Sequence, residues 1–572
     1  MKCLIFFGGC HMKKYSRIVA PVILLVVFCV FAVADGQESV RQVPEKMKAG
    51  FESIRAVDSY SYLEFIAADE MEGRDTPSRG QKIARNYIKS LYKTWGVEPF
   101  GDRHGKSRSY EQKVSMFIKE IGPETTLKVS SPAMSRTFQY RTDFSSANGV
   151  DFPAVIEAPV VFAGYGLSAP DLGYDDFAKL DVKGKIVLIT AGLPGGREAD
   201  TVFTKRENRA RFSGRRTPAE KCSRLLAPKG ALALIIVDPS MDSRTPSPYI
   251  KDKRIHSSSH SVIAKEFAAV KPFIPTFWIS PAIADLIFQM EGRSFKDAKK
   301  IIDDEVKPHS MSMNRSKVRL NLDVKLTNTA SANVLGMIEG SDPVLKNEYI
   351  VIGGHLDHVG MNEQGYVFNG ADDDGSGSTG VLQLAKAFAA NPVKPKRSII
   401  FAQWTGEEKG LLGSGHFTEF PPVPYENIVA CLNLDMICRN TPLASVKREA
   451  ANFEVNPDEI AAMKDEPEKL LIAFTSSPSP RMAELITQLS RDYTGLSVVP
   501  MPSFPMVGNS DHYFFALKHT PSVFFFTGRN QDTHQPTDSV ERINAKKMSQ
   551  VVKLTYLLAF NIGDMPQRLE WK

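Results

Sequence analysis

Four apolar runs of strand length, at 349–354, 398–405, 428–434 and 521–527, alternate with loops and helix-like stretches, and acids or histidines follow each of them. Segments at 376–390 and 481–489 carry the helical spacing between them. Alternation of this kind predicts an α/β fold with a mostly parallel central sheet and helices on both faces. Ligands of such sheets bind beyond the carboxyl ends of the strands. His355 and Asp357 follow the first run, Glu407 and Glu408 follow the second after Gly406, Asp435 ends the third, and His534 lies in the loop after the fourth. Asp373 directly precedes the helix start near Ser376, so all of these can face one cleft.

The residue types suit one chemistry. Two histidines, a glutamate and two aspartates offer nitrogen and oxygen donors, without thiolate, to borderline divalent ions such as zinc. Two ions sharing a carboxylate can lower the pKa of a water towards about 7 and polarise a carbonyl. Hydrolysis then needs a carboxylate that is not a ligand to take the proton, and the tandem Glu407-Glu408 offers one of each. Singly, each residue has a plainer reading as a structural histidine or a solvated acid. Asp372, Asp373 and Asp374 could simply cap the following helix, a role expected for Asp374 in any case. The coincidence of five strand-end placements favours the metal site.

The rest of the chain bounds the setting. At 572 residues, 42% hydrophobic and 24% charged, it is long enough for two or three domains with sizeable cores. Lys13, Lys14 and Arg17, an apolar run at 18–31 and Ala32-Val33-Ala34 predict a cleaved secretory signal over 1–34, with Met12 an alternative start. That run is shorter than the roughly 20 residues of a membrane span, so a membrane anchor is the lesser alternative and a secreted or periplasmic location is expected. The formal charge of +6 includes Lys2, Lys13, Lys14 and Arg17, leaving 6 − 4 = +2 after cleavage, which gives nucleic acid binding no electrostatic support. Cys222, Cys431 and Cys438 would remain, as buried thiols or with a bridge between Cys431 and Cys438.

In chain order, 53–96 reads as helix, break at 73–80, and amphipathic helix. Short β-like runs at 160–163, 186–189 and 233–237 start a different texture, and a basic stretch between 205 and 229 reads as a solvated face. A polar excursion at 441–470 is expected over or beside the cleft, where it could restrict substrate length.

The motifs GGHLDHVG, NGADDDGSGSTGVL, RSIIFAQWTGEEKGLLGS, CLNLDMI, GNSDHYFF and DTHQPTDSVERI, in this order, resemble the dinuclear zinc aminopeptidases related to bacterial leucyl aminopeptidase, glutamate carboxypeptidase and the transferrin receptor. GYGLSAPDLGYDDFAKLDVKGKIVLI and PKGALALIIVDP resemble the protease-associated domain inserted in secreted members. The resemblance implies an N-terminal peptidase part over 35–154, an inserted β-rich protease-associated domain over 155–320, and the main zinc peptidase part over 321–572. It implies two zinc ions per chain, one on His355 and Asp435, the other on Glu408 and His534, with Asp373 bridging. Asp357 would hydrogen-bond and orient His355, and Glu407 would be the general base. His358 is not used by the pattern and is expected behind the ligands or at the rim; Asp511 and His512 line the substrate side without an assigned role. The expected activity is removal of residues from peptides with a free N-terminus. A carboxypeptidase or dipeptidase shares the ligands, and a receptor-like binding protein is disfavoured by the complete ligand set.

Overall fold

The computed structural model describes residues 41–572 except 149, 151–152, 197–199, 206–207, 209–217, 240, 242–260, 265–273, 363, 451–459, 462 and 504–509. The expected signal and much of the basic stretch between 205 and 229 lie outside the described residues.

The four runs that opened the sequence reading form the centre of a ten-stranded sheet. Strands Ser398–Trp404, Tyr349–His355, Ile428–Leu434 and Ser522–Phe526 lie side by side in that order, all parallel. Their continuous apolar character follows from burial on both faces. Side chains alternate: Ile350, Ile352, Ile399 and Phe401 join one core, while Val351, Ile400, Ala402 and Trp404 join the opposite one. Helices Glu45–Ser53, Ala56–Ile66, Gly377–Ala390 and Ala545–Asp564 cover the first face; Leu412–Glu419 and Tyr513–Leu517 cover the second. Each such apolar side chain contributes roughly 1.5–3 kcal/mol by leaving water.

Antiparallel strands flank this parallel centre. Val324–Ile338 pairs with Ser398–Trp404 and with the long strand Glu111–Ile121 on one side, and Leu470–Ser476 runs against Ser522–Phe526 on the other. Leu470–Ser476 falls where the polar excursion was expected to end. Helix Leu443–Ala450 begins that excursion and packs Leu443 and Val446 beside Met436, Ile472 and Phe474, on the sheet face near the strand ends. The helix-break-helix over 53–96 is present as Ala56–Ile66, a tight turn at Asp69–Arg74 and Arg79–Thr94, the last capped by Ser78, whose hydroxyl accepts from Gln81 N.

A second, eight-stranded sheet has its own cores on both faces. Its parallel centre is Ala154–Phe162, Ile186–Thr190, Ala233–Val237 and Thr276–Ile279. Strands Thr126–Ser130, Ser135–Gln139 and Phe144–Asn148 also belong to it, so the sheet reaches back beyond the boundary expected at 155. These edge strands are short and mixed in polarity, and what recruits them is antiparallel pairing with Met311–Leu322 and Thr276–Ile279, which no local pattern announces. Among the described residues, Cys222, Cys431 and Cys438 are free and buried, without a bridge between Cys431 and Cys438.

Within this second unit Asp176 is 1% exposed and accepts from Tyr165 N and Leu167 N at 3.1 and 3.0 Å. Burial pushes its carboxyl from 3.8 up to about 7, against the pull of those two N–H groups and Tyr174. The folded chain therefore holds a proton that the unfolded chain has released. Stability is full below about pH 4, falls by on the order of 4 kcal/mol as pH rises to about 7, and is flat above. Asp176→Asn is expected to remove this part of the pH dependence. Denaturant midpoints of variant and wild type should converge at pH 4 and separate, variant higher, at pH 8; a difference independent of pH would refute the assignment.

Candidate active site

Most of the chemical side chains are delivered by strand ends, and Asp373 by the turn Ala371–Ser376 before a helix. His355 is the last residue of its strand, and Leu356 N still donates to Trp404 O at 2.9 Å across the sheet before the chain turns to Asp357. The neighbouring strand passes Thr405 and turns at Gly406, with φ +69, a left-handed conformation that favours glycine and swings Glu407 and Glu408 back over the strand end. Asp435 follows Leu434 directly and is fixed by Ser510, whose hydroxyl donates to Oδ2 at 2.6 Å and accepts from Asn433 Nδ2 at 2.7 Å.

Asp373 sits at the centre. Its Oδ1 is 3.4 Å from His355 Nε2 and its Oδ2 is 3.1 Å from His534 Nε2, so its two oxygens face two different histidines. Asp435 Oδ1 lies 3.7 Å from His355 Nε2, and Glu408 Oε1 lies 3.1 Å from His534 Nε2. Glu407 belongs to neither set: Oε2 approaches His355 Nε2 only to 3.9 Å, and its side chain is 12% exposed. Asp357, Asp372, Asp374, Asp511 and Asp538 are also buried around these groups.

One expectation changes in detail and another is narrowed. His355 Nδ1 meets the backbone carbonyl of Asp357 at 3.0 Å, whereas the Asp357 carboxylate is 4.0 Å away. That carboxylate instead accepts from Glu407 N at 3.1 Å, so Asp357 links the His355 loop to the candidate base. The short turn after the strand brings the carbonyl nearer to the ring than the side chain can come. His358 is fully buried, not at the rim, with Nδ1 3.0 Å from Glu408 Oε1 and its ring edge-on to His534. His358, Asp373, Glu408 and His534 therefore form one cluster that could hold an ion, and His355, Asp374 and Asp435 another.

Asp374 fills the capping role expected of it. Oδ1 accepts from Gly377 N and Met436 N, and Oδ2 accepts from His355 N at 3.0 Å, so one carboxylate ties three ligand-bearing segments. Asp538 does the same beneath, taking the N–H groups of Asp372 and Asp373 at 3.1 Å. Asp511 accepts from Ser414 Oγ at 2.5 Å, and His512 stacks on Phe524. Sequence reading passed over Asp538, Ser510 and, most of all, Arg74, whose fully buried guanidinium donates to four backbone carbonyls around the site.

The electrostatics are those of a cation site. Burial raises Glu407 well above the usual carboxylate range, and Glu408, Asp511 and Asp435 raise it further against the pull of His355. Burial would also raise Asp373, but hydrogen bonds with His355 and His534 outweigh it and hold Asp373 well below that range. His534 is depressed by burial yet lifted to about 11 by Glu408 and Asp373. Buried carboxylates in this number are costly without positive charge, and Glu408 Oε1 and Asp357 Oδ2 are buried with no hydrogen-bond donor aligned to them. The donor set of nitrogen and oxygen, without sulfur, fits zinc.

Residues 333–559 match the sequence model of Peptidase family M28. The chain is 36% identical over 126 residues to mouse aminopeptidase NAALADL1, covering 21% of this chain and 16% of that protein. It is 31% identical over 213 residues to a probable leucine aminopeptidase 2 of Aspergillus oryzae, covering 37% of this chain and 36% of that protein. The matches thus span well under two thirds of either relative. The solved aminopeptidase from Aneurinibacillus sp. strain AM-1 superposes with a TM-score of 0.52 at 18% identity, over 92% of this chain and 97% of that one, which shows the same fold. The match to Peptidase family M28 takes in the segment that carries His355, Asp373, Glu407, Glu408, Asp435 and His534, and it is over this segment that the chain is similar to that family.

Proposed function

We propose that the protein is a zinc-dependent exopeptidase that releases residues from the free amino end of peptides, acting outside the cytoplasm. The observation that carries this reading is Asp373, with one carboxylate oxygen towards His355 and the other towards His534. Asp435 and Glu408 stand beside these histidines, and Glu407 stands outside both sets. His355 and Asp435 would hold one zinc, Glu408 and His534 the other, and Asp373 both. Bound zinc supplies Lewis acidity, which polarises a carbonyl and makes water acidic enough to react at neutral pH. Glu407 takes the proton of the attacking water as its oxygen bonds to the scissile carbonyl carbon. It then gives that proton to the amide nitrogen as the C–N bond breaks, leaving an amino acid and a shortened peptide. Asp357 holds Glu407 by its backbone N–H, and Ser510 holds Asp435.

The aminopeptidase direction is supported by the names of the two curated relatives. The second sheet is proposed to be the protease-associated domain, since the GYGLSAPDLGYDDFAKLDVKGKIVLI stretch supplies strand Ile186–Thr190 at its centre. Among the described residues no helix is long and apolar enough to cross a membrane. Secretion rests on the signal-like first 34 residues.

The direct test compares the zinc-loaded chain on aminoacyl anilides, N-acetylated dipeptides and C-amidated dipeptides. Cleavage of the anilides and amidated dipeptides, with N-acetylated ones resistant, is expected. Cleavage of N-acetylated but not C-amidated substrates would replace the aminopeptidase by a carboxypeptidase.

A further inference from the structure

Arg74 is fully buried and has no carboxylate within ion-pair distance among the described residues. Its Nε donates to Leu356 O at 2.8 Å and its Nη2 to Gly370 O at 2.9 Å, while Nη1 donates to Ile66 O at 2.9 Å and Asn369 O at 2.6 Å. Leu356 lies between His355 and Asp357. Asn369 and Gly370 begin the turn that presents Asp373. Ile66 ends the helix that anchors the arginine itself. The backbone on either side of Arg74 repeats the connection, since His358 N donates to Arg74 O and Gly360 N to Gly73 O at 3.1 Å. Gly73, with φ +62, permits this approach: a Cβ there would stand 2.3 Å from Gly360 O.

A buried charge with only neutral acceptors is expensive, and carbonyls could be satisfied by water or by neutral donors at less cost. What a guanidinium adds is a rigid planar fork that fixes several acceptors relative to one another, together with a positive charge beneath acids. The acids whose charges bear on it are Asp374, Asp357, Asp538 and Asp373.

We propose that Arg74 is a positioning residue that sets the separation between the loop carrying His355 and the loop carrying Asp373, and thereby the zinc affinity of the site. This rests on the zinc reading of the site. Fully buried, Arg74 acts through the two loops, in the way that groups behind metal ligands orient them.

The test is a zinc titration against a competing chromophoric chelator, on the full chain, for wild type, Arg74→Lys and Asn369→Ala. Lysine keeps the charge and loses the fork. Asn369→Ala loosens the same seam from its outer edge, where Nδ2 donates to Ala67 O and Asp69 Oδ1 at 2.8 and 2.7 Å. Arg74→Lys is expected to bind zinc about 10–100-fold more weakly, and Asn369→Ala a few-fold more weakly, with kcat on an aminoacyl anilide falling more than KM changes. A role in global stability alone would lower the unfolding midpoint and leave zinc affinity unchanged. Zinc affinity of folded Arg74→Lys within about twofold of wild type overturns the proposal; if that variant does not fold, the same result for Asn369→Ala overturns it. A wild-type chain that binds no zinc overturns the zinc reading, and this proposal with it.

Discussion

Glu407→Gln is expected to lower kcat on aminoacyl anilides by about 10²–10⁴-fold while zinc content and the unfolding midpoint stay as in the wild type. The substitution keeps the size of the side chain and its backbone hydrogen bond to Asp357, and removes the ability to take a proton. Glu407 is suited to that task by its surroundings. Burial lifts it well above an ordinary glutamate, so it has affinity for the proton it must accept, while His355 nearby keeps the ionised form accessible. It is also placed apart from the two donor clusters, which is why metal content is expected to survive. Glu408→Gln differs on this point: its Oε1 is 3.1 Å from His534 Nε2, so metal content should fall along with activity. Paired metal analyses and rate measurements separate the two. Full activity in Glu407→Gln, or loss of zinc from it, would remove Glu407 from the role of base.

Most of the donors were legible in the sequence because one rule places them, Asp373 at a helix start being the exception. His355, Glu407, Glu408, Asp435 and His534 each follow an apolar run, and a parallel sheet turns that linear pattern into convergence at one edge. The supporting residues follow no such rule. Asp374 and Asp538 accept backbone N–H groups from segments far away in the chain, so their partners exist only once the loops are packed. Arg74 sits in a Gly- and charge-rich break between two helices, a composition that reads as exposed, and its burial depends on four carbonyls contributed by three segments. The flanks of the main sheet were hidden for a similar reason. Leu470–Ser476 has the same apolar texture as the central strands, but its antiparallel direction is set by how the chain returns to the sheet. His358 shows the reverse limit: its position in the motif was visible, while its burial against Glu408 is a product of how the loop after His355 curls.

Asp373→Asn is expected to cost the protein most of its stabilisation by zinc. A ligand at a thousandfold its dissociation constant adds about 4 kcal/mol of stability at one site, and Asp373 lies between the donors of two. One substitution therefore removes the carboxylate whose two oxygens face a histidine of each cluster, and activity should fall by at least as much as in Glu407→Gln. In the metal-free protein the balance is different. There, Asp373 is one of several buried carboxylates, and its charge disfavours ionisation of Glu408 and Asp374. The hydrogen bonds with His355 and His534 outweigh burial and that repulsion and hold Asp373 ionised in the folded chain, a contribution present above the usual carboxylate range, so the metal-free variant is expected to unfold below the wild-type midpoint at neutral pH. The measurement is thermal unfolding of both proteins with zinc and with chelator. A wild-type midpoint that rises on zinc addition while that of Asp373→Asn barely moves is the expected pattern. Equal zinc shifts in the two proteins would mean that the carboxylate at 373 is not shared between two ions, whatever the distances around it suggest.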